Sequence, residues 1–432
     1  MDPGRALALG FPIAIAMLSR GGTLNLPHGA FLKFPGDRLA KLGQSALVSG
    51  LARARSRRVT RSPWFKEPAT MKLTYLLVFL PIALALNYFR ANPILIFLAS
   101  ALGVMPLAEL MGDATEILSR YLGTTVGSLL NASLNNAPEI IIALFALKNG
   151  LVDVVKASLT GSIVGNLLFG MGLAMYLGGL RHREQKFDAK LAGMNGNLLA
   201  LATFCLLIPA VFHFGSGGEV REFSLVISGL LLLVYAASLV FTVFAPKSAR
   251  PISLGEAKAE DRAHAPVQGP NSAPSWKYAL GLLVLVTLGL AVMSEIMTDA
   301  LEPTAKQLGL TPIFAGIFLL AMVSNIPQFY NAVEFARSDQ MDLTMGVTLG
   351  ASTQVALVVA PLLVLSGPLL GQPMNLIFTP VEILAIVMAV VVARNMTTDG
   401  QSNWLEGIML LAVYLMLGIG FYILPASRAV AP

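Results

Sequence analysis

The chain has 432 residues, 55% hydrophobic and 12% charged, with a mean hydropathy of +0.71, and a water-soluble core of this length cannot absorb so much apolar side chain, so the solvent has to be lipid. The formal net charge of +6 comes from bases scattered over polar stretches between apolar runs, a pattern that suits orientation in a bilayer and contact with anionic lipid and leaves no nucleic-acid surface. The single cysteine, Cys205, excludes an intrachain disulfide and a thiolate metal cluster.

In chain order, residues 1–70 are rich in arginine (Arg53, Arg55, Arg57, Arg58, Arg61) and poor in acids. They predict a basic, disordered extension without a packed domain, and Met71 followed by Lys72 and an apolar run reads as a second possible start. From Lys72 onward, apolar runs long enough to cross a bilayer as helices recur. Six are predicted at Lys72–Phe89, Pro93–Met111, Thr124–Leu147, Val152–Leu177, Leu191–Phe214 and Phe223–Phe244. Residues 246–276, rich in Pro, Ala, Ser, Gly and charge, predict a solvated cytosolic linker. Five more spans follow at Tyr278–Met297, Pro312–Phe335, Met341–Leu365, Leu376–Ala393 and Trp404–Tyr422, with 426–432 as a tail. None alternates apolar with polar residues as a lipid-facing barrel would, so the expected fold is all-α with eleven transmembrane helices. In alternation, these spans put about twelve bases, Arg120, Arg181, Arg183, Arg337 and Arg394 among them, on the N-terminal side and about six on the other. That side is expected to be the cytosol. The short central loop favours a bacterial plasma (inner) membrane, with an organelle membrane as the alternative.

The two halves repeat. Asn136 matches Asn325, Pro138 matches Pro327, Ala143 matches Ala332, Asp153 matches Asp342 and Gly161 matches Gly350, all at one offset (325 − 136 = 189). Upstream, Glu109, Asp113 and Glu116 match Glu295, Asp299 and Glu302 at 186. After a first extra helix at 71–92, units 93–245 and 277–425 would each contain five helices. Because five is odd, the second unit would be inverted, as in many secondary transporters whose ion sites lie at the repeat interface.

Glu139 is the sharpest residue. An ionisable group inside a membrane costs about 2.5 to 3.5 kcal/mol on insertion scales and faces a functional cavity as a rule. Its carboxylate suits a hard cation and can take a proton when the ion leaves. Asn136 and Asn325 place amide oxygens one turn before Glu139 and Gln328, and with Glu139 they form the expected metal ligands. Ser162, Asn166, Ser352 and Gln354 add hydroxyl and amide oxygens beside Gly161 and Gly350, the expected points of close helix packing. Interhelical hydrogen bonding is the competing role for each. Pro138 and Pro327 are expected to interrupt their helices and free carbonyls. Glu382 lies in an apolar span and fits an interfacial role as well as a functional one.

From Met71 to about Leu424 the chain resembles the calcium/proton exchanger family of the calcium/cation antiporters. The resemblance is carried by Asn135-Asn136-Ala137-Pro138-Glu139 with Gly161-Ser162-Ile163-Val164-Gly165-Asn166, by Gly350-Ala351-Ser352-Thr353-Gln354, and by Ser402-Asn403-Trp404-Leu405-Glu406-Gly407. It implies eleven spans and exchange of cytosolic calcium for protons, with each repeat supplying one central glutamate. Here the first falls on Glu139, whereas the second position holds Gln328, Phe329 stands where some members have histidine, and Ala351 where serine is usual. Gln keeps an oxygen ligand but cannot exchange a proton. Sodium or potassium in place of calcium, and a transport-deficient homologue, are therefore the alternatives. An intramembrane enzyme finds little support, since His28, His182, His213 and His264 fall in loops, the N-terminal segment or a span end. No soluble cofactor is expected, and no motif speaks to oligomeric state.

Overall fold

The computed structural model describes residues 73–122, 126–127, 130, 133–216, 221–244 and 275–423. The expected N-terminal extension, nearly all of the central linker and the tail lie outside them. The chain divides at Met71, and the unit from Lys72 onward carries the fold. A 3₁₀ turn, Leu73–Val78, leads into α1 (Phe79–Tyr88). Then come α2 (Pro93–Tyr121), α3 (Ala137–Lys148), α4 (Val152–His182), α5 (Ala189–Ser216) and α6 (Arg221–Phe244). The second half holds α7 (Trp276–Gln307), α8 (Pro312–Arg337), α9 (Met341–Leu370), α10 (Pro380–Met396) and α11 (Trp404–Ile423). Eight of these, all but α1, α3 and α10, are long and apolar enough to cross a membrane. The other three coincide with expected spans as shorter helices. Two three-residue strands, Glu184–Lys186 and Gln401–Asn403, pair antiparallel. They are the departure from an all-α fold among the described residues.

Several boundaries differ from expectation for local reasons. Helices α2 and α7 each run about ten residues past the predicted end, and they pack on each other antiparallel, with Met293 beside Gly103 and Leu107 beside Gly289. Glu109 and Glu116, expected near a span end or loop, therefore sit within α2. Helix α10 starts at Pro380, where Thr379 caps it in a box with Glu382 and proline occupies the first turn without losing a bond. Asn92 and Ser275 cap α2 and α7 in the same way, accepting from Ile94 and Tyr278.

The outer surface is apolar: on α6, Val226, Leu230 and Leu233 are all more than half exposed, as lipid-facing side chains should be. The interior holds the polar groups. Helices α4 and α8 lie alongside each other at the centre, first half against first half and second against second. Several other contacts come in pairs at the 189-residue offset seen in the sequence. Helix α3 packs on α7 and α8 on α2; α5 packs on α9 and α10 on α4; α6 packs on α9 and α11 on α4.

Each central helix contains a π-helical stretch, Gly165–Gly170 in α4, Ala315–Leu320 in α8 and Val355–Val359 in α9. The first and third fall at nearly equivalent places (165 + 189 = 354). A π-turn inserts an extra residue per turn and commonly marks a functional site. Gly161 permits the closest approach of α4 and α8, since a Cβ there would lie 2.6 Å from the Cα of Ile317 and 2.7 Å from the Cβ of Ala321. Gly316 answers from the other side, where a Cβ would meet Ala157 and the carbonyl of Val154. For Gly350, expected to play the same part, no described residue lies within 4 Å of a Cβ built there, and the position one offset before Ile317 (317 − 189 = 128) lies outside the described residues.

Candidate functional site

The site forms where α3 begins. A turn at Asn135–Asn136 ends the preceding helical residues, and α3 starts at Ala137 with Pro138 in its first turn, where a missing amide is harmless. Glu139 sits in that first turn, its carboxylate favoured by the helix dipole. The proline expectation divides here. Pro138 marks a true break, whereas Pro327 lies inside an unbroken stretch, Ala321–Arg337, and interrupts nothing. One lost amide leaves the Val323 carbonyl without its intrahelical donor, and the flanking bonds hold the helix.

Glu139 is 5% exposed, and its Oε1 accepts a short hydrogen bond from Nε2 of Gln328, which is 7% exposed. These two residues are 189 apart, so the bond joins equivalent positions of the two halves. Asn136 donates Nδ2 to Oε1 of Gln354 at 2.7 Å. Asn166 donates to Oδ1 of Asn325 at 3.1 Å, and Asn325 donates to Ser162 Oγ at 2.9 Å and to the carbonyl of Ala321 at 2.8 Å. Thus α3, α4, α8 and α9 are linked through seven of the eight expected binding residues. Ser352 is the exception. Though fully buried, its hydroxyl bonds back to the Thr348 carbonyl of its own helix at 2.9 Å.

Four buried acceptor oxygens in this group have no hydrogen-bond donor: Oε2 of Glu139, Oδ1 of Asn136, Oδ1 of Asn166 and Oε1 of Gln328. Orphan acceptors in a low-dielectric interior are costly unless something positive meets them. One carboxylate and several neutral oxygens make a donor set for a hard cation. A small cavity opens beside Glu139, with space for about one water-sized occupant. Ser158, Ser162 and Ser324 line it along with Leu320 and Val355. Ser158 and Ser324 were not expected as site residues. The signals were present, since Ser324 stands 189 after Asn135 and Ser158 one turn before Ser162.

Beside the site, Phe329 packs edge-on to Phe169 at 5.2 Å between centroids, over Gly165 and Gly170 of the π-helical stretch. A Cβ at Gly170 would lie 2.7 Å from that ring. Glu382 belongs to a different place. It is 3% exposed, accepts from the amide and hydroxyl of Thr379 at 2.9 and 2.8 Å, and accepts from Thr160 at 3.3 Å. Its carboxylate is tied up as a cap. Among the described residues there is no group of three or more His, Cys, Asp or Glu that could hold a metal, so any cation here relies mainly on neutral oxygens.

A many-helix membrane protein with a buried carboxylate among unpartnered oxygens has the build of an ion transporter. The chain belongs to the sodium/calcium exchanger protein family, whose model matches residues 92–244 and 278–422. It is 40% identical over 360 residues to a Ca(2+)/H(+) antiporter of Aphanothece halophytica, covering 81% of this chain and 96% of that one. It is 36% identical to the Ca(2+)/H(+) antiporter ChaA of Bacillus subtilis (strain 168), covering 76% and 92%. The solved structure of native YfkE aligns with a TM-score of 0.69 at 33% identity, covering 82% of this chain and all of that one.

Proposed function

We propose that this protein is a secondary antiporter that exchanges calcium for protons by alternating access, with Glu139 as the group that both ions compete for. The observation that carries the reading is the hydrogen-bonded, buried pair of Glu139 and Gln328 surrounded by four unpartnered oxygens. The antiporter relatives, similar along nearly their whole length, name the ions. When Glu139 is ionised, its free oxygen and the amide oxygens of Asn136, Asn166 and Gln328 offer a hard cation its ligands. When it is protonated, its hydroxyl can donate to one of the same amide oxygens. Each state therefore satisfies the site, and neither leaves room for the other.

The architecture is read as eleven spans, the last ten forming two inverted five-helix repeats, α2–α6 and α7–α11. Supporting this are the paired contacts, the bond between positions 189 apart and the family match in two blocks. Alternation of the spans is supported by two separate sets of loop contacts. On one face, His182 bonds the carbonyl of Arg337, the amide of Asp188 donates to Asp342, and the two strands pair. On the other, Lys148 pairs with Glu295 at 3.0 Å and Lys156 donates to Asn375 at 2.5 Å. The first face carries most of the bases, so it is assigned to the cytosol with the N-terminus, in a bacterial plasma membrane.

A second reading, exchange of sodium or potassium for protons, is favoured by the single carboxylate, whose charge matches a monovalent ion. Purified protein in sealed vesicles under a pH gradient discriminates. Addition of calcium is expected to release protons, and Glu139→Gln to reduce that release to background; release with sodium or potassium alone would replace the calcium reading.

A further inference from the structure

We infer that Gln328 sets the coupling ratio at one proton per cation, so that each calcium crosses with a net movement of one positive charge. The inference rests on the antiporter reading above and concerns how that site is wired. The pseudo-equivalent positions 139 and 328 face each other across a hydrogen bond, but only one of them can hold a proton, because a carboxamide does not titrate. Phe329, next along the chain, is buried against Phe169 and adds no titratable group.

Several acids and bases on the surrounding helices have partners of their own, Glu382 of α10 among them, which accepts from Thr379 and Thr160. From α7, Glu295 pairs with Lys148, and Asp299 accepts from Asn149 at 2.7 Å. From α4, Asp153 lies in the first turn, and Lys156 is bonded to Asn375. On α8, Glu334 and Arg337 lie about 9 Å or more along the helix from Gln328. On α2, Glu109 lies near Tyr330 and Glu116 is ion-paired with Arg120 at 2.6 Å, with Asp113 between them. In the first turn of α9, Asp342 accepts from the backbone amide of Asp188. None of the bonds just named reaches Glu139, whose Oε1 has Gln328 as partner and whose Oε2 has none.

The charge balance follows. A protonated Glu139 releases one proton as calcium binds, so the calcium-loaded core has charge −1 + 2 = +1 and the proton-loaded core has charge zero. A full turnover carries +2 one way and +1 back.

Wild-type protein in sealed vesicles tests this, with the membrane potential clamped by a potassium gradient and a potassium ionophore while internal calcium is followed to its steady level. At zero potential, one pH unit is expected to sustain a tenfold calcium gradient. At zero pH gradient, about 59 mV should also sustain tenfold, with an inside-negative potential drawing calcium in. A hundredfold gradient per pH unit with no response to potential would overturn the single-proton assignment and leave calcium exchange standing. Failure to move calcium under any gradient would overturn the calcium reading and the inference with it. Gln328→Glu supplies a second test: it is expected to raise the gradient to a hundredfold per pH unit and remove the response to potential, and an unchanged ratio in a variant that still transports would count against Gln328 as the determinant.

Discussion

At the residue scale, the proposed calcium site would need the amide oxygens around Glu139 as much as the carboxylate, because calcium prefers six or more oxygens and the site offers one charged side chain. Asn166 is fully buried in α4, with its oxygen unpartnered while its nitrogen holds Asn325. Replacing it with leucine removes a ligand and leaves Asn325 with an unmet acceptor, a loss of about 1 to 2 kcal/mol, or roughly 5- to 30-fold in binding. The half-saturating calcium concentration for transport in vesicles is expected to rise by that factor. Ser352→Ala should leave it unchanged, since that hydroxyl serves its own helix. An equal effect of both substitutions would argue against the assignment of ligands.

At the scale of elements, the close approach of α4 and α8 at Gly161 and Gly316 holds the polar residues of both helices in register. Gly161→Ala forces a methyl group into the backbone of Ile317 and is expected to cost about 1 to 3 kcal/mol, as overpacking does. Gly350→Ala meets no described residue within 4 Å and is expected to be neutral or stabilising by up to about 1 kcal/mol, through helix propensity. Thermal unfolding in detergent separates the two. The same measurement on Thr379→Ala should show a loss of about 1 kcal/mol or more, as the N-cap of α10 disappears and the buried Glu382 loses a donor. The contrast between Gly161 and Gly350 also marks a limit of sequence reasoning. The repeat pairs them, but helix neighbours are set by three-dimensional packing, and among the described residues no backbone presses on Gly350 as Ile317 presses on Gly161.

At the scale of the whole molecule, the two sets of loop contacts should face opposite compartments. In a Cys205→Ser background, a cysteine at Lys306 is expected to react with a membrane-impermeant thiol reagent from outside intact cells, and one at Asp188 only after the membrane is opened. Labelling of both from the same side would break the alternation of spans. The apolar exterior of α6, α7 and α11 fits lipid contact, while the carboxylate and amides gather at the centre, where a transported ion would exchange its hydration for protein oxygens.

The sequence by itself determined the membrane setting, the helical class and the positions of the apolar spans, and it singled out Glu139, Asn136, Asn325 and Gln328 as candidates. These follow from composition, hydrophobic run length and the cost of a carboxylate in lipid, all local quantities. Only the tertiary structure decided that Glu139 bonds to Gln328, that Asn136 reaches Gln354 across 218 residues, that Ser158 and Ser324 line the cavity, and that Pro327 leaves its helix whole. Those outcomes depend on which helix faces meet and on where π-helical turns rotate side chains, and a repeat pattern along one chain does not specify either.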